Sequence, residues 1–195
     1  MRHVLVLFNK ALFLLAIFQF SNSDAQEKFS KRQIQKIKSE TIDQVQGRFK
    51  QTQVMIDKIF SFAELGFQEH ESSNYLTKIL EESGFEIEKG ISDIPTAWMA
   101  RWSIGEGPVI ALGSDVDCIP KASQYPGVAY HKPIIDGAPG HGEGHNSGIP
   151  LVITAALTLQ KQMKKYNLGG TLIIWPGIAE EQLASKAWYV RDGYF

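Results

Sequence analysis

From Glu27 to about Arg48 the chain is polar and charged, with apolar residues at Ile34, Ile37, Ile42 and Val45 forming a weak helical stripe. A second helical pattern runs from Gln53 to Ala63, and Gly66 reads as a stop. In "SSNYLTKILEESG" the residues Tyr75, Leu76, Ile79 and Leu80 share one face, and Gly84 closes the helix. The period then changes from that of a helix to that of a strand. "FEIEKG" alternates apolar and charged positions, "TAWMARW" reads as a second strand, and "PVIALGS" is an apolar run bounded by turn residues, as in a buried strand. From Gly148, "IPLVITAALTLQKQM" predicts a buried helix ending near Lys165, with Pro150 in its first turn, where a missing N–H costs least. "TLIIW" predicts another buried strand, and "EEQLASKAWYVRDG" a last helix. Strands alternating with helices at this spacing predict an α/β fold whose sheet contains parallel strands and is covered on both faces.

Composition adds constraints. With 195 residues, 44% hydrophobic and 21% charged, the chain can bury a sizeable core. Its 20 basic and 21 acidic residues give a formal net charge of -1, and the basic residues are scattered, so no field favours a nucleic-acid partner. Residues 1–25 follow a different plan: Arg2, His3 and Lys10 flank or interrupt apolar sequence, "ALFLLAIFQF" follows, and "SNSDAQ" is small and polar. That order predicts a cleaved export signal and an exported mature chain, periplasmic or extracellular. The apolar run is well short of the ~20 residues that span a bilayer, so no stable membrane anchor is expected after cleavage. Cys118 is the single cysteine and cannot form an internal disulfide.

Three clusters carry candidate chemistry. Asp115 and Asp117 follow one buried strand, and Glu180 and Glu181 follow another. Ligands of open α/β sheets lie beyond the carboxyl ends of strands, so these acids are expected to converge. The third cluster, "HGEGH", precedes the buried helix; if it is extended, His141, Glu143 and His145 point one way. So many carboxylates in one partly buried place repel each other unless a cation joins them. A mixed histidine and carboxylate set suits Zn2+, in one or two ions, with Mn2+ or Co2+ also compatible. Each cluster has an ordinary alternative: Asp-x-Asp in a turn or cap, Glu-Glu at a helix N-terminus, a polar loop for "HGEGH".

The motifs "FAELGFQEHESSNYL", "GFEIEKGISDIPTAWMARW", "VIALGSDVDCIP", "GHGEGHN" and "GGTLIIWPGIAEE" resemble, in order and spacing, the zinc amidohydrolases and exopeptidases that include aminoacylases, glutamate carboxypeptidases and auxin-conjugate hydrolases, most nearly the aminobenzoyl-glutamate hydrolase branch. The resemblance implies a partial three-layer αβα zinc-exopeptidase-like catalytic domain with a mixed, mostly parallel sheet. It implies that residues 26–195 are the N-terminal part of that domain, lacking an inserted dimerisation domain and a C-terminal catalytic half. The complete enzyme would then be a homodimer, and this chain alone inactive. By position, His145 and Glu181 correspond to metal ligands, Glu180 to the general base, and Asp117 to a carboxylate that orients a metal-site group. Asp115 falls where several relatives have a histidine ligand, and Glu143 where this branch has a cysteine ligand; His141 is left as an outer-shell candidate. The implied activity is metal-dependent hydrolysis of an amide bond in a small N-acyl amino acid, dipeptide or aminobenzoyl-glutamate-like substrate. The alternative is an exported module that keeps the fold without catalysis.

Overall fold

The computed structural model describes residues 29–183 and 185–195; the proposed export signal, residues 1–25, lies outside them. The chain divides into two compact units, residues 1–40 and 41–195. Of the first unit the described part is the opening of helix α1 (Lys31–Gly47). Its start is fixed by a reciprocal cap: the Gln33 N–H donates to Ser30 Oγ (3.3 Å), while Gln33 Oε1 accepts from the Ser30 N–H (2.9 Å).

The second unit holds the remaining helices α2 (Phe49–Phe62), α3 (His70–Glu82), α4 (His145–Tyr166) and α5 (Ser185–Arg191), with strands β1 (Glu86–Lys89), β2 (Trp98–Ile104), β3 (Val109–Asp115) and β4 (Gly170–Gly177). Period-2 alternation decides which strand face is covered. Register places Ala100 and Leu112 beside Ile174, and Trp102 and Ile110 beside Leu172. This face shares one core with Leu76 and Leu80 of α3 and Ile153 and Leu157 of α4, while α2 adds Met55 and Ile59. Between α2 and α4 a buried hydroxyl pair, Thr52 and Thr154, closes at 2.6 Å. The opposite face carries Trp175, which packs on Tyr189 of α5 and on Phe195, whereas Arg101, Val109 and Ala111 on that face stay exposed. Among the described helices, α5 represents the third layer. Gly113, paired with Trp175, is required: a Cβ there would overlap the indole ring.

The sheet order is β1-β2-β4-β3, and the sheet is mixed as expected. It is not mostly parallel, however: β1–β2 and β2–β4 are antiparallel, and only β3–β4 is parallel. A parallel neighbour needs a crossover of a dozen or more residues, and in this sheet the β3–α4–β4 connection supplies the one that joins adjacent strands. Three boundaries also move. Helix α2 begins at Phe49, ahead of the expected start at Gln53, and ends close to expectation on a left-handed Ala63 (φ 51°). Helix α4 starts at His145, three residues before the expected start, so Pro150 lies beyond its first turn. The Glu180 segment is not one helix but a 3-10 turn (Glu180–Gln182), a left-handed Leu183 and then α5.

Candidate metal centre

The parallel pair β3–β4 ends in register at Asp115 and Gly177, so the segments that follow emerge side by side. After β3, the chain is tied on both flanks. The Cys118 N–H donates to Glu64 O (2.8 Å), and Ile119 exchanges two backbone hydrogen bonds with Gly140 (3.1 Å each). Those ties hold Asp117 fully buried and bring the "HGEGH" loop over the same edge. Gly144, left-handed at φ 82°, then turns the chain into α4, which makes His145 the first helical residue.

Four predicted residues meet there: Glu143, His145, Glu180 and Glu181 each offer one ligand atom, and these atoms lie within 4.8 Å of one another. His145 Nε2 is 3.9 Å from Glu143 Oε2 and 3.9 Å from Glu180 Oε2, and its Nδ1 is 3.9 Å from Glu181 Oε1. The ring orientation has a cause. Nδ1 is 3.0 Å from the backbone carbonyl of Asp117, which can only accept, so Nδ1 carries the hydrogen and Nε2 is the atom left facing Glu143 and Glu180. Without a cation to compete, hydrogen bonding to Asp117 raises the imidazole pKa from 6.5 to about 9, against the opposing effect of burial. Glu181 is pushed above the usual carboxylate range by burial and by the neighbouring Glu143 charge.

Asp117 is a strut as well as a charge. Its Oδ2 accepts from the Glu181 N–H (3.1 Å), fixing the 3-10 turn, while its buried Oδ1 has no hydrogen-bond partner among the described residues. That oxygen has only the His145 ring, 3.5 Å away at Nδ1, as a counter-charge among its described contacts, and with three further acids beside it this is the condition a cation would relieve. The donor set, one imidazole nitrogen plus carboxylate oxygens, fits a divalent ion such as Zn2+, Mn2+ or Co2+.

Two candidates lie elsewhere. Asp115 is held by Lys186, with Nζ 2.8 Å from Oδ1 and 3.0 Å from Oδ2, over a Gly177 whose missing Cβ leaves room for the carboxylate. His141 does not join Glu143 and His145, because the bend at Gly142 and the left-handed Gly144 break the extended alternation. Its Nε2 donates to Ile59 O (3.1 Å), its ring stacks on Phe60, and burial lowers its pKa, so it is a neutral ring braced on α2. Cys118 lies buried beneath the cluster, its thiol pushed up to about 12 by burial and by the Asp117 charge. Beside Glu180, a cavity of about 230 Å³ is lined by Leu183, Ser185, Lys186 and Ala187.

The sequence motifs carry no hint of two further carboxylates. Glu64 caps α3, its two oxygens accepting from the Glu71 and Ser72 N–H groups at 2.8 Å each. Glu69 is fully buried, accepting from the Ala179 N–H (2.9 Å) and the Thr96 hydroxyl (2.9 Å). Burial raises the Glu69 pKa. An acidic residue in "ELGFQEHES" reads as surface; only its place between α3 and the 3-10 turn shows otherwise.

A mixed α/β sheet with a histidine and acidic cluster beyond the carboxyl ends of its parallel strands defines an α/β domain with a candidate metal-binding edge. No family model matches the chain. Over 139 residues it is 34% identical to a p-aminobenzoyl-glutamate hydrolase polypeptide of Escherichia coli (strain K12), a match covering 71% of this chain and 29% of that protein. Among solved structures it resembles the Bacillus subtilis YXEP protein, described as a dinuclear metal binding peptidase from the M20 family (TM-score 0.55, 24% identity, 73% of this chain and 39% of that one). It also resembles a provisionally assigned aminohydrolase from methicillin resistant Staphylococcus aureus (TM-score 0.63, 17% identity, 80% of this chain and 39% of that one). The two structural likenesses are below the identity at which more than the fold follows. The sequence match, with that shared fold, supports the M20 amidohydrolase family for the matched stretch, which spans 29% of the curated relative's length.

Proposed function

We propose that the chain is the N-terminal part of an exported, metal-dependent amidohydrolase or peptidase that cleaves an amide bond in a small N-acyl amino acid, dipeptide or aminobenzoyl-glutamate-like substrate. The observation that carries this reading is the convergence of Glu143, His145, Glu180 and Glu181, drawn from two separate segments, onto one sheet edge. His145 Nε2, Glu181 and Glu143 are assigned as ligands, with Asp117 orienting His145 through its backbone carbonyl and Glu181 through its carboxylate. The Asp115–Lys186 pair takes Asp115 out of this set and favours one ion held by these residues.

A divalent ion in this place supplies Lewis acidity, lowering the pKa of a water and polarising an amide carbonyl. The chain's own residues do the rest. Glu180 is part-exposed at the cavity edge, and Lys186 Nζ stands 3.9 Å from its Oε1, which steadies the carboxylate. It is placed to take a proton from water as the oxygen adds to the acyl carbon, and to return that proton to the departing nitrogen as the C–N bond breaks. The hydroxyl thus ends on the acid product and the proton on the amine.

Zn2+ uptake by the EDTA-stripped chain tests the reading. One ion per chain, with affinity about 10- to 100-fold weaker after His145→Ala or Glu181→Ala, is expected, and Glu180→Gln should retain metal. Uptake that ignores both the His145 and the Glu181 substitution, or no uptake, would overturn it in favour of a non-catalytic module.

A further inference from the structure

We infer that Glu69 is a positioning residue for the proposed site: its buried carboxylate pins the backbone turn that aims Glu180 and Glu181. The inference deepens the metal-hydrolase reading and rests on it for its purpose, but its geometry stands independently. Ala179, the residue just before the pair, is left-handed (φ 51°, ψ 42°), a conformation that non-glycine residues adopt only when held. It is fully buried, and its N–H is bound by Glu69 Oε1 at 2.9 Å across 110 positions of sequence.

The strut is itself anchored. Glu69 Oε2 accepts from the Thr96 hydroxyl at 2.9 Å, and the Thr96 carbonyl accepts from Ser73 Oγ at 2.6 Å, so the carboxylate is clamped between α3 and the entry to β2. Gly66 lets the preceding loop close on the turn, since a Cβ there would come within 2.9 Å of Ala179 and 2.8 Å of Gln182 Nε2. The Glu-Glu turn is therefore fixed from below at two points: Glu69 holds the Ala179 N–H, and Asp117 holds the Glu181 N–H. Asp117 also faces His145, whereas Glu69 touches none of the proposed ligand side chains among its described contacts. A change at Glu69 thus reaches the ion through the aim of the turn or through the neighbouring Asp117 charge, and Glu69→Gln, neutral but still an acceptor, separates the two.

The test pairs amide hydrogen exchange with Co2+ titration followed by visible absorption, on the whole chain. Glu69→Leu leaves the Ala179 N–H and the Thr96 hydroxyl without their acceptor. Glu69→Gln keeps one carbonyl oxygen for Ala179 and an amide that the Thr96 oxygen can accept. In Glu69→Leu, exchange across residues 179–182 should quicken by about tenfold or more with α2 and α4 unchanged, and Co2+ affinity should fall by about 10- to 100-fold. Glu69→Gln should restore both. Should the leucine variant melt below the assay temperature, Glu69→Asp, one methylene too short to reach both partners, serves in its place.

Unchanged exchange at 179–182 in a folded variant would overturn the assignment. So would exchange that rises everywhere in both Leu and Asp variants, which would make Glu69 a residue of the fold at large. If the unsubstituted chain takes up no Co2+, the metal reading fails, and the exchange arm alone still decides what Glu69 holds.

Discussion

Raising the pH of the metal-free chain from 6.5 to 9 should cost it stability, because of one side chain. His145 has its pKa raised from 6.5 to about 9, chiefly through Asp117. A group whose folded pKa lies above its unfolded value stabilises fully below the unfolded pKa and loses that contribution as pH rises through the folded one. A shift of this size corresponds to about 3 kcal/mol in full; titration is half complete at each end of the interval and solvent screens the partly exposed pair, which leaves about 2 kcal/mol between pH 6.5 and 9. The neighbouring groups are common to both chains compared below: His141 is lowered and acts below pH 6.5, the Cys118 thiol, at about 12, acts above pH 9, and the raised Glu69 and Glu181 cancel in the comparison. The assay is urea denaturation in EDTA, followed by tryptophan fluorescence at pH 6.5 and 9, for the parent chain and His145→Gln. The parent should lose about 2 kcal/mol more than the variant over this interval. Equal slopes, or a parent that gains stability with pH, would refute the Asp117–His145 coupling on which the orientation of Nε2 depends.

Two other substitutions probe the site and its frame. Glu143 has 65% of its side chain exposed, so Glu143→Cys should fold normally; the Co2+-loaded variant should then show near-ultraviolet thiolate-to-metal absorption that the parent lacks, and no new band would remove position 143 from the ligand set. Gly113→Ala drives a methyl into the Trp175 ring and should lower stability in thermal denaturation by about 1–3 kcal/mol, with an unchanged melting temperature contradicting the packing described for the second sheet face.

Much of the site is legible in the sequence because two kinds of periodicity point to one edge. The apolar run of β3, the run of β4 and the long helix between them predict a parallel pair, and a parallel pair brings the acids after each strand together. Glu180 and Glu181 follow from that logic, and Glu143 and His145 from the loop that leads into the helix between the two strands. Asp115 does not, because the partner that claims it, Lys186, lies 71 positions away on α5 and leaves no local signal. His141 departs from expectation because a glycine-rich loop need not stay extended: glycine is the residue that lets such a loop turn. The antiparallel β1–β2–β4 pairings are hidden for another reason: buried strands read alike in either direction, and only the connection length distinguishes them. At the N-terminal end, the spacing of serine and glutamine in "SKRQ" is itself the signal of the Ser30–Gln33 capping box.

The central claim is that one divalent ion is bound by His145 together with Glu143 and Glu181. Diffraction above the zinc absorption edge, from crystals grown with Zn2+, measures this directly. The predicted result is a single strong anomalous peak within about 2.0–2.2 Å of His145 Nε2 and of a Glu181 oxygen, with Glu180 beside it but outside the coordination shell. A map with no peak at His145, or with its peak on other residues, would contradict the account.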